Sequence, residues 1–174
     1  MAPLENPPEN PCFGCGPRHS RGLRLSFERG VAADGVDELS TRFTPEPDEV
    51  GWPGLFHTGL HFLVLYEVSY WTALELEGRL MVSTGPGTYA HERLPRVGRA
   101  HVARARLGAL APDGREVVAV SETDDGRPCG RLRTYWRPVS REEVARARLS
   151  LPAYLLESIP SAPGDAPTQT YNTR

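Results

Sequence analysis

Five histidines, three cysteines and one carboxylate inside an apolar run are the residues from which chemistry in this chain of 174 could be built. His57 and His61 stand four apart, a spacing that puts both on one face of a helix and can hold a metal. No His-Glu-x-x-His motif accompanies them, so a place lining a pocket or a subunit contact is the reading. Cys12 and Cys15 have the spacing of zinc ligands or of a redox pair. Only Cys129 and His19 remain to complete a four-ligand site, whereas structural zinc normally brings two ligand pairs, so a packed structural knuckle is expected and no metal. Glu67 lies among apolar residues, where an unpaired carboxylate is costly and its pKa rises. It is either a functional acid or the partner of one of many arginines. Its neighbour Tyr66 is a core aromatic or a hydrogen-bond donor, since a phenol is a poor base near neutral pH. His91 stands in a strand-like stretch between Ala90 and Glu92, either as an ordinary histidine or as a catalytic one.

The segment that carries most of these groups is a helix expected over Thr58–Leu76. Leu60, Phe62, Leu63, Val64, Leu65, Val68, Trp71, Ala73, Leu74 and Leu76 leave it few polar positions, and a helix apolar nearly all round is buried. Thr58 is a good N-cap type, and Gly78 sits where a left-handed C-cap belongs. Ahead of it, Leu23, Leu25 and Phe27 alternate with polar residues as in a half-buried strand, and a weaker strand runs over Val36–Phe43. Pro45, Pro47 and Pro53 mark a long loop. Strands are expected at Leu80–Arg93, Arg99–Leu110, Glu116–Thr123 and Pro128–Arg137. Hairpin turns fall at Ala111–Gly114 and Asp124–Gly126, and a kink at Gly85–Gly87. Ser140 with Glu143 forms a capping box that opens a short helix to about residue 149. The class is therefore α+β, an antiparallel sheet around one long buried helix, with dimerisation expected to protect its edges.

Composition narrows the function classes. Twenty basic groups, all arginine, and 22 acidic ones give a net charge of −2, so no field for nucleic acid or a membrane surface dominates. No apolar run approaches the roughly 20 residues of a membrane helix. The Pro- and Glu-rich start lacks the pattern of a secretory signal, and an odd number of cysteines fits a reducing compartment, so a cytoplasmic location is expected. Residues 1–17 are expected as an extended N-terminal segment, 18–138 as the domain, 139–159 as a helical extension and 160–174 as a disordered tail.

The run Pro11-Cys12-Phe13-Gly14-Cys15-Gly16-Pro17, then Gly22-Leu23-Arg24-Leu25-Ser26-Phe27, resembles the opening of a subgroup of hotdog-fold acyl-CoA thioesterases. Gly51-Trp52-Pro53-Gly54-Leu55-Phe56-His57-Thr58-Gly59 is similar to that family's Gly-x-Pro-Gly-x-x-His-Gly-Gly loop. Pro95-x-x-Gly98 and Asp125-Gly126 match two of its turns, in order, over about residues 11–138.

The resemblance implies an α+β hotdog fold and hydrolysis of an acyl thioester carried by CoA or an acyl carrier protein. It implies a homodimer or dimer of dimers and no metal or redox cofactor. Gly59 N–H would polarise the thioester carbonyl with help from the helix dipole. The family's carboxylate, nine residues after the histidine, falls on Tyr66, with Glu67 one residue later. Either Glu67 reaches the site through a local π-bulge or Tyr66 takes the place with different chemistry. Thr58, Glu67 and His91 also resemble the Thr, Glu and His of the fluoroacetyl-CoA branch, and His57 keeps the leading histidine. His61 and Phe62 would line the substrate site. Arg93 and Arg96, with Arg99, Arg104 and Arg106, would meet CoA phosphates or a carrier's acidic helix, or else form a solvated strand face. Two other readings remain: a dehydratase, isomerase or cyclase acting on a thioester-bound intermediate in specialised metabolite biosynthesis, and a non-catalytic acyl-binding protein.

Overall fold

The computed structural model describes residues 2–85, 87–112, 114–148 and 150–159. The expected tail, the end of the predicted C-terminal helix at Leu149, and Pro86 and Asp113 of two expected turns lie outside them. The strands are β1 (Ala2–Pro3), β2 (Glu28–Val31), β3 (Asp37–Phe43), β4 (Val50–Trp52), β5 (Leu55–Phe56), β6 (Met81–Ser83), β7 (Thr88–His91), β8 (His101–Ala111), β9 (Gly114–Thr123) and β10 (Pro128–Pro138). The helices are α1 (Thr58–Glu77), α2 (Arg141–Arg146) and α3 (Ala153–Glu157). One antiparallel sheet runs β1-β2-β3-β8-β9-β10-β6, with β7 also on β10, and β4 pairs with β5 apart from it.

The sheet curls around α1. Val64, Leu65, Val68, Ala73 and Leu74 of the helix are buried against Leu39, Ala103, Ala105, Val117, Ala119, Leu132 and Trp136 of the strands. Each large apolar side chain so buried contributes about 1.5–3 kcal/mol, which is why a helix with no polar face is stable here. Its buried hydroxyls serve themselves: Ser69 Oγ and Thr72 Oγ1 each donate to the carbonyl four residues back, at 2.7 Å. The helix ends at Gly78, whose φ of 66° is the left-handed conformation that glycine adopts at least cost.

Several expectations are corrected. The N-cap is His57, not Thr58: the imidazole Nδ1 accepts from Gly59 N at 3.0 Å and takes over the role of a hydroxyl cap. Leu23–Phe27 is not a strand, because Arg24 has a φ of 49° and the backbone there bonds to the N-terminal segment, Leu23 N to Phe13 O and Leu25 N to Gly14 O. Leu25 and Phe27 are nonetheless buried, which is the part of the period-two pattern that packing required. The long strand expected over Leu80–Arg93 is two short ones, β6 and β7, with Gly85 and Gly87 between them. The capping box of Ser140 and Glu143 is present, but α2 stops at Arg146, and a separate α3 follows within the expected helical extension. The N-terminal segment packs inward: Leu4 N donates to Phe27 O, and Cys15 joins the core at 2% exposure.

Of the five arginines read as a solvated face or a phosphate site, two are tied across strands. Arg104 pairs with Glu38 and Glu122, and Arg106 with Glu38 and Asp34. Among the described residues no ion pair engages Arg93, Arg96 or Arg99.

Gly78→Ala places a side chain in the left-handed region and is expected to cost about 1 kcal/mol, read as a lower midpoint in urea. An unchanged midpoint would mean that the cap does not terminate α1 as described.

Candidate functional site

The sequence-predicted residues fall into three groups around α1. At its N-terminus, His57 is exposed and its Nδ1 holds Gly59 N–H, so the donor assigned to a thioester carbonyl is occupied by the cap. With Nδ1 as acceptor, the neutral ring carries its proton on Nε2, which leaves an N–H donor on the exposed imidazole at the positive end of the helix. The loop over residues 93–99 lies against this end. Phe56 N donates to Pro95 O at 2.9 Å, and Leu55 bridges to Arg96. This loop carries exposed Arg93, Arg96 and Arg99, of which Arg96 bridges to the strand just before the helix.

The second group is a relay below the first turns. His61 is fully buried, with Nε2 at 2.7 Å from Ser121 Oγ and Nδ1 at 2.9 Å from Tyr89 Oη. Ser121 Oγ also accepts from Gly130 N at 3.1 Å. A Cβ on Gly130 would lie 2.6 Å from His61 Cε1, so only glycine lets the strand pass this ring. Burial, helped by His91 and His101, holds His61 down to about 4, and burial pushes Tyr89 up to about 12. Both are neutral near pH 7. Phe62 packs edge-on against Tyr89, and exposed His91 leans on the same ring at 5.6 Å between centroids. His61 is thus a core residue, hydrogen-bonded to the half-buried Tyr89.

The third group holds Tyr66 and Glu67. Tyr66 is half-buried between Phe62 and Trp136, with ring centroids at 5.9 and 5.2 Å. Burial raises its hydroxyl above the ordinary range, against a hydrogen bond with Ser83. Glu67 points the other way round the helix, 8% exposed, with Oε1 at 3.3 Å from Cys12 Sγ. Its Oε2 is buried and has no hydrogen-bond partner among the described residues. Burial first, then the charge on Cys12, pushes this carboxyl up to about 8. The Cys12 thiol is lowered, chiefly by hydrogen bonding from Cys15, whose own thiol is raised.

Tyr66 and Glu67 line one cavity of about 330 Å³, walled by Tyr70, Trp71, Met81 and Trp136 and bordered by both cysteines. A larger one of about 630 Å³ lies by Leu60 and Val64 under the segment Ser20–Leu25, and holds none of the predicted site residues. Among the described residues no arginine partners Glu67, and α1 is an unbroken α-helix, so no π-bulge turns Glu67 toward the Gly59 face. Among the described residues no hydrogen bond or ion pair joins Thr58, His91 and Glu67.

Sequence reasoning missed Tyr89, Ser121 and His101. Tyr89 and His91 share a strand face by alternation, a signal that was present. Ser121 and His101 gave none, because their roles depend on which strands become neighbours. His101 is 1% exposed; Nε2 accepts from Arg96 N at 3.2 Å, and burial lowers its pKa.

Glu67 makes a signed prediction. Its carboxyl titrates near 8 in the folded chain against 4.5 when unperturbed, so the native state favours the protonated form. That stabilisation is complete below the unfolded value and is lost as the pH rises through the folded one. Glu67→Gln is therefore expected to gain stability over the wild type from about pH 5 to about pH 8, by on the order of a few kcal/mol. Denaturant titrations at several pH values, with chelator present, check this; an offset constant with pH would contradict it.

No family model matches the chain, and no curated protein does. Solved structures do match. The thioesterase superfamily protein RHA08564 superposes with a TM-score of 0.61 at 18% identity, covering 71% of this chain and 61% of that one. The chain thus spans about three fifths of that relative's length. S. sahachiroi AziG gives a TM-score of 0.58 at 18% identity, over 67% of this chain and 92% of that one. A hypothetical thioesterase from Streptococcus pneumoniae TIGR4, solved with coenzyme A, gives 0.54 at 12% identity, over 63% and 86%. An antiparallel sheet wrapped on a central helix, shared with these structures, gives this chain the hotdog fold.

Proposed function

We propose that the protein hydrolyses an acyl thioester of CoA or an acyl carrier protein. The observation that carries this reading is the loop over residues 93–99, packed beside the α1 N-terminus and carrying exposed Arg93, Arg96 and Arg99, which have no ion-pair partner among the described residues. Guanidinium groups there suit the phosphates of a CoA or phosphopantetheine arm, and the helix start suits the thioester oxygen. The coenzyme A bound by the pneumococcal neighbour, and the acetyl CoA bound by one from Streptococcus mutans UA159, agree with that substrate class.

In this reading His57 Nε2–H takes the carbonyl oxygen, with Gly59 N–H fixing the ring tautomer, and Thr58 borders the acyl centre. Tyr66 keeps the face it shares with Gly59, because seven residues turn about 700° and leave them about 20° apart. It donates a hydrogen bond rather than acting as a base. His91 is the group that takes the proton of the attacking water, and Phe62 with Tyr89 lines the acyl path. Along the axis Gly59 and Tyr66 are about 10 Å apart, too far to flank one thioester, so the second half of the site comes from another copy. The free edge at β6 and β7, with Val82 at 39% exposure, is the surface for that homodimer.

A second reading rests on Tyr66 standing where a carboxylate would stand. Without that base the same site suits proton transfer on the acyl chain with the thioester retained.

Mass spectrometry of acyl-CoA and acyl-carrier thioesters incubated with the wild type and with Tyr66→Phe, His57→Ala and His91→Ala separates the two. Hydrolysis gives free acid and free thiol, with turnover falling about 10²-fold or more in His57→Ala or His91→Ala. An intact thioester with a changed acyl mass selects the second reading. No turnover across the panel contradicts both. Sedimentation is expected to show at least a dimer, and a monomer would remove the shared site.

A further inference from the structure

The cysteine pair and Glu67 form a cluster that the thioester reading does not use. Cys12 Sγ, Cys15 Sγ and a Glu67 oxygen all lie within 4.8 Å of one another. The chain is folded to bring them there. Gly16 N donates to Cys12 O at 2.8 Å, which closes the turn, and Cys15 N donates to Cys12 Sγ at 3.4 Å, an N–H aimed at a sulfur as around a thiolate. Gly14 has no side chain where a Cβ would lie 2.5–2.7 Å from Glu67 Cγ, Cδ and Oε1, so the carboxyl can reach across to the sulfur. An amide shell supports the turn: Asn10 Nδ2 lies 3.5 Å from Cys15 Sγ and 2.8 Å from Asn6 Oδ1, Asn10 Oδ1 accepts from Cys12 N at 3.0 Å, and Asn6 Nδ2 donates to Cys15 O.

Against this construction stands an unmet electrostatic need. Among the described residues Glu67 Oε2 is buried without a partner and has no cation in ion-pair reach. A thiol proton alone is a weak partner for a carboxylate in so dry a place. A soft divalent cation supplies what is missing. Two thiolates and one carboxylate form a donor set that zinc accepts, with Zn–S about 2.3 Å and Zn–O about 2.0–2.2 Å. Tetrahedral edges built on those lengths are about 3.5–3.8 Å. The 3.3 Å between Cys12 Sγ and Glu67 Oε1 is already near such an edge.

We propose that Cys12, Cys15 and Glu67 hold a zinc ion whose fourth coordination position opens into the aromatic cavity beside Tyr66. Zn²⁺ enters as the aquo ion; each ligand still protonated releases its proton to solvent, and no electrons move. The three anionic ligands leave the site with a charge of −1, which favours a neutral fourth ligand such as water or a substrate oxygen. This departs from the expectation that the pair is only a packed knuckle without metal. The distinction from Cys-rich structural zinc is the open position, the arrangement that zinc sites use to bind small molecules. The inference stands independently of thioester hydrolysis, because it is read from metal uptake and not from turnover.

The test is titration of the full chain, purified under reductant and stripped with chelator, with Co²⁺ as a spectroscopic probe. One equivalent per chain is expected, with thiolate-to-cobalt charge transfer in the near ultraviolet, tetrahedral d–d bands, and displacement of both by Zn²⁺. Cys12→Ser is expected to lose most of the charge-transfer intensity, and Glu67→Gln to keep two-thiolate absorption at an affinity at least about tenfold weaker. If a variant fails to fold, the wild type alone still decides: Zn²⁺ is expected to raise its thermal midpoint and to slow alkylation of Cys12. Absence of both effects overturns the proposal, as does a cobalt spectrum unchanged in Cys12→Ser, or a Cys12–Cys15 disulfide that forms under reductant with no metal uptake.

Discussion

The constraint on which the rest depends is that α1 has no polar face to give to water. The sheet closes on it from β3 to β10, the N-terminal segment covers what remains, and every polar side chain on the helix must then be satisfied inside the protein. Ser69 and Thr72 bond to the helix backbone. His61 is held at both ring nitrogens. Glu67 and Trp71 are the exceptions: Trp71 Nε1 has no hydrogen-bond partner among the described residues, and Glu67 is a carboxyl facing a sulfur with one oxygen unmet. A carboxyl is costlier to leave unmet than an indole N–H, so Glu67 is the group that the fold has placed at the greater cost.

The same helix decides how chemistry is distributed. A turn of about 100° per residue sends Tyr66 and Glu67 to different neighbours. Tyr66 shares its face with Gly59 and meets Phe62, Trp136 and Ser83, whereas Glu67 meets Cys12. Under the proposed function two sites follow from one helix: a start beside an arginine-bearing loop, proposed to take a phosphate-bearing thioester, and a mid-helix pocket of thiols, carboxyl and aromatic rings. The cavity by Tyr66 is where the two adjoin.

The sequence showed α1 clearly, because a long apolar run ending in glycine has few other solutions, and it showed the three long strands β8 to β10 through alternation and their turn residues. It showed Leu25 and Phe27 as buried but not that they lie in a loop, since alternation reports which side chains point inward and not which backbone they pair with. The positive φ at Arg24 and the bonds to Phe13 and Gly14 come from the N-terminal segment folding back. For the candidate site, the residue types were legible and the partners were not. Glu67 reads as an anomalous carboxylate from its neighbours in sequence, but Cys12 stands 55 residues away. The Tyr89, His61 and Ser121 relay likewise joins β7, α1 and β9, so it emerges only from the sheet order.

The central claim is that Glu67 is a buried acid bound to the cysteine pocket and not a free carboxylate on the substrate face. Infrared difference spectroscopy with isotope-labelled glutamate, wild type minus Glu67→Gln, reads this directly in the metal-free protein. The account predicts a protonated-carboxyl band at neutral pH that disappears only near pH 8 and moves when Cys12 is replaced by serine. A carboxylate band already complete by about pH 5, and indifferent to Cys12→Ser, would contradict it.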